Sequence, residues 1–182
     1  MSTNEHAIRK RQAPMLLISP ATEADMGIAI DAVRSSADWY ESLVDEQDLG
    51  EHHVDKAWAR RNFQEREFFV GRTEKNEPVG ILSLQDTGEY LYIGYLYLFT
   101  GHVGQGFGKR FLQYAEQEAW ERGKKGLVLI CHPEADWACK AYEKYGFACR
   151  ATEKEAVLAW NDGWLVPYYE EGFVLYAYEL EP

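Results

Sequence analysis

Cysteine is scarce in this 182-residue chain: there are three, at positions 131, 139 and 149, with no CxxC pair and no histidine at ligand spacing. That pattern excludes a disulfide scaffold and gives no metal site; it suits reduced thiols in a cytoplasmic protein. No apolar run approaches the roughly 18 residues that a membrane-spanning helix needs. Positive charge is also short, with 19 lysines and arginines against 30 aspartates and glutamates, a net charge of −11. A field of that sign repels phosphate backbones and anionic lipid, so neither nucleic acid nor membrane is an expected partner. It attracts small cations, and it equally serves solubility. Six prolines and 15 glycines are too few for a low-complexity or collagen-like chain, and no internal repeat is present.

What remains is an ordinary globular composition, 46% hydrophobic and 27% charged. At roughly 100–200 residues per domain the chain makes one domain, expected over residues 15–182. Residues 1–14 are basic, without the apolar region or small-residue cleavage pattern of a signal peptide, and are expected to form a flexible extension.

Apolar spacing predicts the elements. Residues 15–19 (MLLIS) read as a short strand stopped by Pro20. Thr22 and Asp25 mark a helix start, followed by Met26, Ala29, Ile30, Val33 and Ala37 on one face. Residues 45–50 read as an acidic loop, and 51–66 as a second helix with Val54, Ala57 and Trp58 inward. Three strands follow at 67–72, 79–84 and 90–99, joined by short turns as an antiparallel meander, the last one long and aromatic. A helix is expected at 106–122, stopped by Gly123, then a fully apolar strand at 126–131. The next helix, at 135–145, carries Ala138, Ala141, Tyr142 and Tyr145 on its stripe and ends at Gly146. Beyond Phe147 the chain reads as β to its end, with a turn at Asn161-Asp162-Gly163 and a last strand at 173–180. The order β-α-α-β-β-β-α-β-α-β-β makes a mixed α/β sheet with helices on its faces.

The bend between the meander and the third helix holds Gly104, Gly106 and Gly108 at alternate positions. Glycines there let backbone N–H groups converge on one concavity at a helix N-terminus, which holds a phosphate without side-chain cations. A plain tight turn needs fewer glycines. A Walker-type loop would need glycine at 103 and Ser or Thr at 110, where Val103 and Arg110 stand. A dinucleotide fingerprint fails at Lys109 or Phe111, and its strand would open a βαβ unit rather than close a meander.

Two blocks then resemble one family. Leu96-Tyr97-Leu98, followed by Val103-Gly104-Gln105-Gly106-Phe107-Gly108 and Lys109, is similar to the acyl-CoA-binding segment [QR]-x-x-G-x-[GA] of the GNAT acyltransferases. Ala138-Cys139-Lys140-Ala141-Tyr142-Glu143-Lys144-Tyr145-Gly146-Phe147 is similar to their A-x-x-x-Y-E-K-x-G-F. The blocks lie within residues 94–147, with one buried strand between them, as in the family. Two positions depart from it: Val103 replaces the usual Arg or Gln, and Ala135 stands where an Asn is common, with Asp136 a poor substitute.

The resemblance implies a GNAT-like acyl-CoA N-acyltransferase fold, with a mixed sheet of about seven strands flanked by about four helices. It implies an enzyme that moves an acetyl group from acetyl-CoA to a primary amine, expected to be a small molecule, by direct attack in a ternary complex, with no metal. Leu96, Leu98 and residues 103–109 would hold the cofactor, and backbone N–H groups at 94–99, beside a bulge at Gly94, would steady the developing oxyanion. Tyr142 would protonate the departing thiolate; Tyr145 is expected to pack. Glu89 is the expected base, with Asp86, His52 and His53 as alternatives. The acidic stretch 45–48 would meet the acceptor, and the aromatic segment 160–169 would either wall the pocket or pair with a second copy, as in a homodimer. A non-catalytic acyl-CoA sensor and a protein N-acetyltransferase are the competing readings.

Overall fold

The computed structural model describes residues 15–37 and 54–182. The expectations for the extension 1–14, the acidic stretch 45–48, and His52 and His53 lie outside them.

Seven strands form one sheet in the order β1-β2-β3-β4-β5-β7-β6. They are β1 (Leu17–Pro20), β2 (Glu67–Arg72), β3 (Pro78–Asp86), β4 (Tyr90–Leu98), β5 (Gly126–Cys131), β6 (Ala148–Ala151) and β7 (Val174–Glu179). Strands β2, β3 and β4 make the expected antiparallel meander. Only β4 and β5 run parallel, because the connection between them is a helical crossover.

Alternating side chains divide the core between the two faces of the sheet. On one face Phe69, Leu82, Leu84, Leu127 and Leu129 pack with Phe111, Leu112, Ala115 and Ala119 of helix α3 (Phe107–Glu121) and Cys139 of helix α4 (Asp136–Tyr145). On the other, Phe68, Val70 and Ile81 meet Met26, Ala29, Ile30 and Val33 of α1 (Met26–Ser35) and Trp58 and Ala59 of α2 (Lys56–Glu65). Each large apolar side chain removed from water here contributes about 1.5–3 kcal/mol. A third cluster joins Tyr92, Val128, Leu175 and Ala177 to Val157 of α5 (Lys154–Ala159) and to Leu165.

Local signals set the helix ends. The Asp25 carboxylate accepts the Thr22 N–H at 2.8 Å and ties to Arg72 at 2.9 Å. Gly123 adopts φ 65°, and the Lys124 N–H closes on the Ala119 carbonyl at 2.8 Å, which stops α3.

Three readings need correction. Helix α2 starts at Lys56 because Asp55 caps it, accepting the Trp58 N–H at 2.9 Å; its buried face is therefore Trp58, Ala59 and Asn62, and Ala57 is exposed. In α4 the buried residue is Cys139, one turn before the half-buried Tyr142, whereas Ala141 is exposed, as is Ala37 beyond α1. The segment between β6 and β7 is not β: it folds as α5 and two short 3-10 turns, Trp160–Gly163 and Val166–Tyr168. The helix formers of its sequence KEAVLA fit that outcome, and Val157 and Leu165 anchor it to the sheet. Among the described residues no helix is long and apolar enough to cross a membrane.

Candidate functional site

Strands β4 and β5 share only the partner pairs Tyr90–Gly126, Leu91–Leu127 and Tyr92–Val128. Past these they part, β4 continuing along β3 to Leu98 and β5 along β7 to Cys131. The facing edges thus lose their sheet partner, and backbone groups there are left for a ligand to satisfy. A cleft of about 200 Å³ opens at the divergence. Its walls are residues 92–97 and 129–132, Ala135, Ala138 and Tyr142, with Trp58, Arg66 and residues 167–170 on the α2 side.

The β4 wall is interrupted by a bulge. Leu84 pairs with Ile93 but Ser83 with Tyr95, leaving Gly94 as the extra residue, and the buried Ser83 hydroxyl accepts the Tyr95 N–H at 2.8 Å. One inserted residue reverses the alternation of the strand. Leu91 and Ile93 face α3, as do Leu96 and Leu98 after the bulge, while Tyr95 and Tyr97 turn toward α1 and α2. A Cβ at Gly94 would lie 2.0 Å from Arg66 Nη1 and 3.0 Å from Ser83 Oγ, so a side chain there would displace the guanidinium.

Arg66, at the end of α2, is held on three sides. Its guanidinium carbon is 4.8 Å from the ring centroids of both Tyr95 and Tyr168, and its Nε donates to Asn62 Oδ1 at 3.0 Å. Asn62 is buried and donates in turn to the Trp58 carbonyl at 3.0 Å. Tyr168 also accepts a hydrogen bond from Gln85 Nε2 at 2.9 Å. Burial pushes the Tyr92 phenol well above its ordinary value, the Arg66 charge pulls it back, and Tyr95, Tyr168 and Glu170 raise it further. Burial, aided by Cys139, whose sulfur is 3.5 Å away, likewise pushes the Cys131 thiol far up.

Strand β4 leaves the cleft into the glycine bend. A 3-10 turn, Thr100–His102, is anchored to the end of α1 where Ser35 Oγ accepts the Thr100 N–H at 3.0 Å. Gly104 and Gly106 take φ of 80° and 88°, the left-handed region that disfavours any side chain. Gly106 is the N-cap of α3, and among the described residues no side chain caps that helix. The first-turn amides of α3 therefore meet solvent with the positive end of the helix dipole behind them. Gln105 Nε2 donates to the Gly101 carbonyl at 2.9 Å, stiffening the bend, and Phe107 anchors it in the core. Val103, Gly104, Gln105 and Lys109 are exposed, and Gly108 is half-buried.

The remaining expected site residues separate. Leu96 and Tyr142 line the cleft, while Leu98 packs with the α3-side core. Tyr142 is well fixed: its carbonyl accepts the Phe147 N–H at 3.0 Å, closing the α4 cap at Gly146, and its ring sits edge-on to Phe147 at 5.6 Å. Tyr145 packs against Tyr178 and donates to Glu116, beyond the cleft walls. Glu89 does not reach the cleft. It is exposed, on the end of β4 that still pairs with β5, in an ion pair with Lys125 at 2.5 Å. Asp86 is tied to Lys124 at 2.7 Å, a hydrogen bond that with the Gly88 N–H holds its carboxyl below the usual range. Among the described residues the carboxylate that lines the cleft is Glu170, and His132 lines it just beyond β5. Residues 167–170 serve as a wall, one of the two roles open to the aromatic segment.

Arg66 and Glu170 were not singled out by the sequence, and Tyr95 and Tyr168 fell within the stretches 94–99 and 160–169 without a role of their own. An arginine within Glu65-Arg66-Glu67 has the pattern of a solvated helix end. The readable hint was Gly94, which marks the place where β4 makes room.

A family model described as "Acetyltransferase (GNAT) family" matches residues 34–147. Among solved structures, the PaiA N-acetyltransferase of Thermoplasma acidophilum, in complex with coenzyme A, superposes with a TM-score of 0.69 at 16% identity over 91% of this chain and 99% of that one. A GNAT-family acetyltransferase of Staphylococcus aureus Mu50 gives 0.68 at 14% over 92% and 100%. A GNAT-family acetyltransferase of Elizabethkingia anophelis with acetyl-CoA bound gives 0.62 at 21% over 91% and 98%. At these identities the likeness is one of fold.

Proposed function

The chain belongs to the acetyltransferase (GNAT) family, and from that footing we propose that it transfers an acetyl group from acetyl-CoA to the primary amine of a small molecule. The observation that carries the proposal is the parting of β4 from β5 beside a left-handed glycine bend and an uncapped helix N-terminus. These residues fit the cofactor. The amides of residues 104–109 suit a pyrophosphate without side-chain cations, and the free edge of β4 offers backbone donors and acceptors to an amide-bearing arm.

Bound acetyl-CoA would supply the activated acetyl group: its carbon–sulfur bond is exchanged for a carbon–nitrogen bond, and of the two protons that an ammonium acceptor loses, one passes through a base to solvent and the other replaces the one given to the departing sulfur. The chain's own residues do the rest. Tyr142, fixed at the α4 cap, donates a proton from the cleft wall. Glu170 receives the proton of the incoming ammonium, directly or through water, in the place expected of Glu89. Backbone N–H groups around the Gly94 bulge stabilise negative charge on the thioester oxygen. The raised pKa of Cys131 keeps the cleft thiol protonated and unfit as a nucleophile, which supports direct attack over an acyl-cysteine route. Residues 167–170 wall a cleft of about 200 Å³, a size that suits a small acceptor better than a protein segment.

Thiol release from acetyl-CoA in the presence of an amine panel tests the reading. Amine-dependent release supports it; acetyl-CoA binding without release for any amine or protein substrate would leave a sensor.

A further inference from the structure

Arg66 is set up as a binding group rather than as a structural cation. Its Nε is used by Asn62 and its guanidinium carbon lies 4.8 Å from the centroids of two tyrosine rings, contacts that restrain the guanidinium. Among the described residues no carboxylate pairs with it, and Nη1 and Nη2 have no acceptor. The bulge glycine leaves the space that Nη1 occupies. Such a fork, half-buried against aromatic rings in a cleft, matches a carboxylate bidentately. The opposite charge, Glu170, lines the same cleft.

We propose that the acceptor is a zwitterion of the amino-acid type, whose carboxylate pairs with Arg66 while its amino group lies toward Glu170. This rests on the acetyltransferase reading and narrows its acceptor. It also reverses what the net charge of −11 invites, an oligocationic amine. Exposed charges beyond a Debye length of about 8 Å are largely screened at physiological ionic strength, whereas a guanidinium inside the cleft is not. A polycation would face Arg66 without a counter-ion.

The test uses the full chain. Turnover is compared for the twenty L-amino acids, their decarboxylated amines and spermidine, and isothermal titration measures acetyl-CoA and acceptor binding separately. At least one amino acid should exceed its decarboxylated partner in kcat/KM by about tenfold or more. Arg66→Gln should erase that preference through KM, with kcat changed less and acetyl-CoA affinity within about twofold; Arg66→Lys, which keeps the charge but not the fork, should retain part of it. Equal or better use of carboxylate-free amines overturns the proposal, as does an Arg66→Gln loss that is the same for both members of a pair. Acetyl-CoA binding with no amino acid accepted overturns the proposal and leaves the broader reading intact. Failure to bind acetyl-CoA removes that reading and the proposal together.

Discussion

Tyr142 combines a motif position with a fixed place. A phenol on the cleft wall, braced by the α4 cap and the Phe147 ring, is the acid proposed here. Because a thiolate with an ordinary pKa near 8.5 leaves tolerably well unaided, the expected effect is moderate. Tyr142→Phe should lower kcat by about tenfold to a hundredfold with acetyl-CoA affinity nearly unchanged; equal turnover removes it as the acid. Gly94 makes the second residue-scale case. Adding a methyl group at Gly94→Ala displaces the Arg66 guanidinium, so the acceptor KM should rise, with a loss of about 1 kcal/mol or less in thermal unfolding. A variant as stable as the parent, with the same KM, would mean that Arg66 has room to move.

At the scale of elements, the bulge in β4 and the bend before α3 do different work. The bulge reverses which side chains face α3, so that one strand shows leucines to the proposed cofactor side and tyrosines to the proposed acceptor side. The bend depends on positive φ. Gly106→Val forces a β-branched residue into the left-handed region, a strain of roughly 1–2 kcal/mol or more that the bend relieves by changing shape. Acetyl-CoA binding should be lost while circular dichroism stays native; unchanged affinity would refute the cradle. The start of α1 gives a pH prediction. The Thr22 N–H, with further help from Arg72, holds the Asp25 carboxyl below its ordinary value. A depressed folded pKa contributes stability that is fully present above the unfolded value of about 3.9 and is lost as pH falls through the folded one. Asp25→Asn should therefore be less stable than the parent by about 1 kcal/mol at neutral pH, with the gap closing in acid. A gap that persists below pH ~2 would assign it to packing.

Taken as a whole, the molecule shows which features a sequence displays and which it hides. The strands at 67–72 and 126–131 were readable to the residue, since apolar runs bounded by turn residues report burial directly. The glycine bend was readable because positive φ selects glycine, and the place of Tyr142 on α4 because its motif is local. The α2 phase was misread because the N-cap at Asp55 moved the start, and α5 because a six-residue helix has too few turns for a periodic signal. Arg66 and Glu170 were hidden for a different reason: they meet in one cleft only when the segment before β7 folds back over β4, and their proposed roles follow from that meeting. Glu89 looked suitable by its position on the strand, and Lys125 claims it.

The central claim is that main-chain amides at residues 104–109 and the free edge of β4 hold the pyrophosphate and arm of acetyl-CoA. A crystal structure of the chain with acetyl-CoA tests it most directly. The account predicts diphosphate density against the α3 N-terminus and the thioester between β4 and β5 within reach of Tyr142. Density lodged elsewhere, or a cleft left empty at saturating acetyl-CoA, would contradict it.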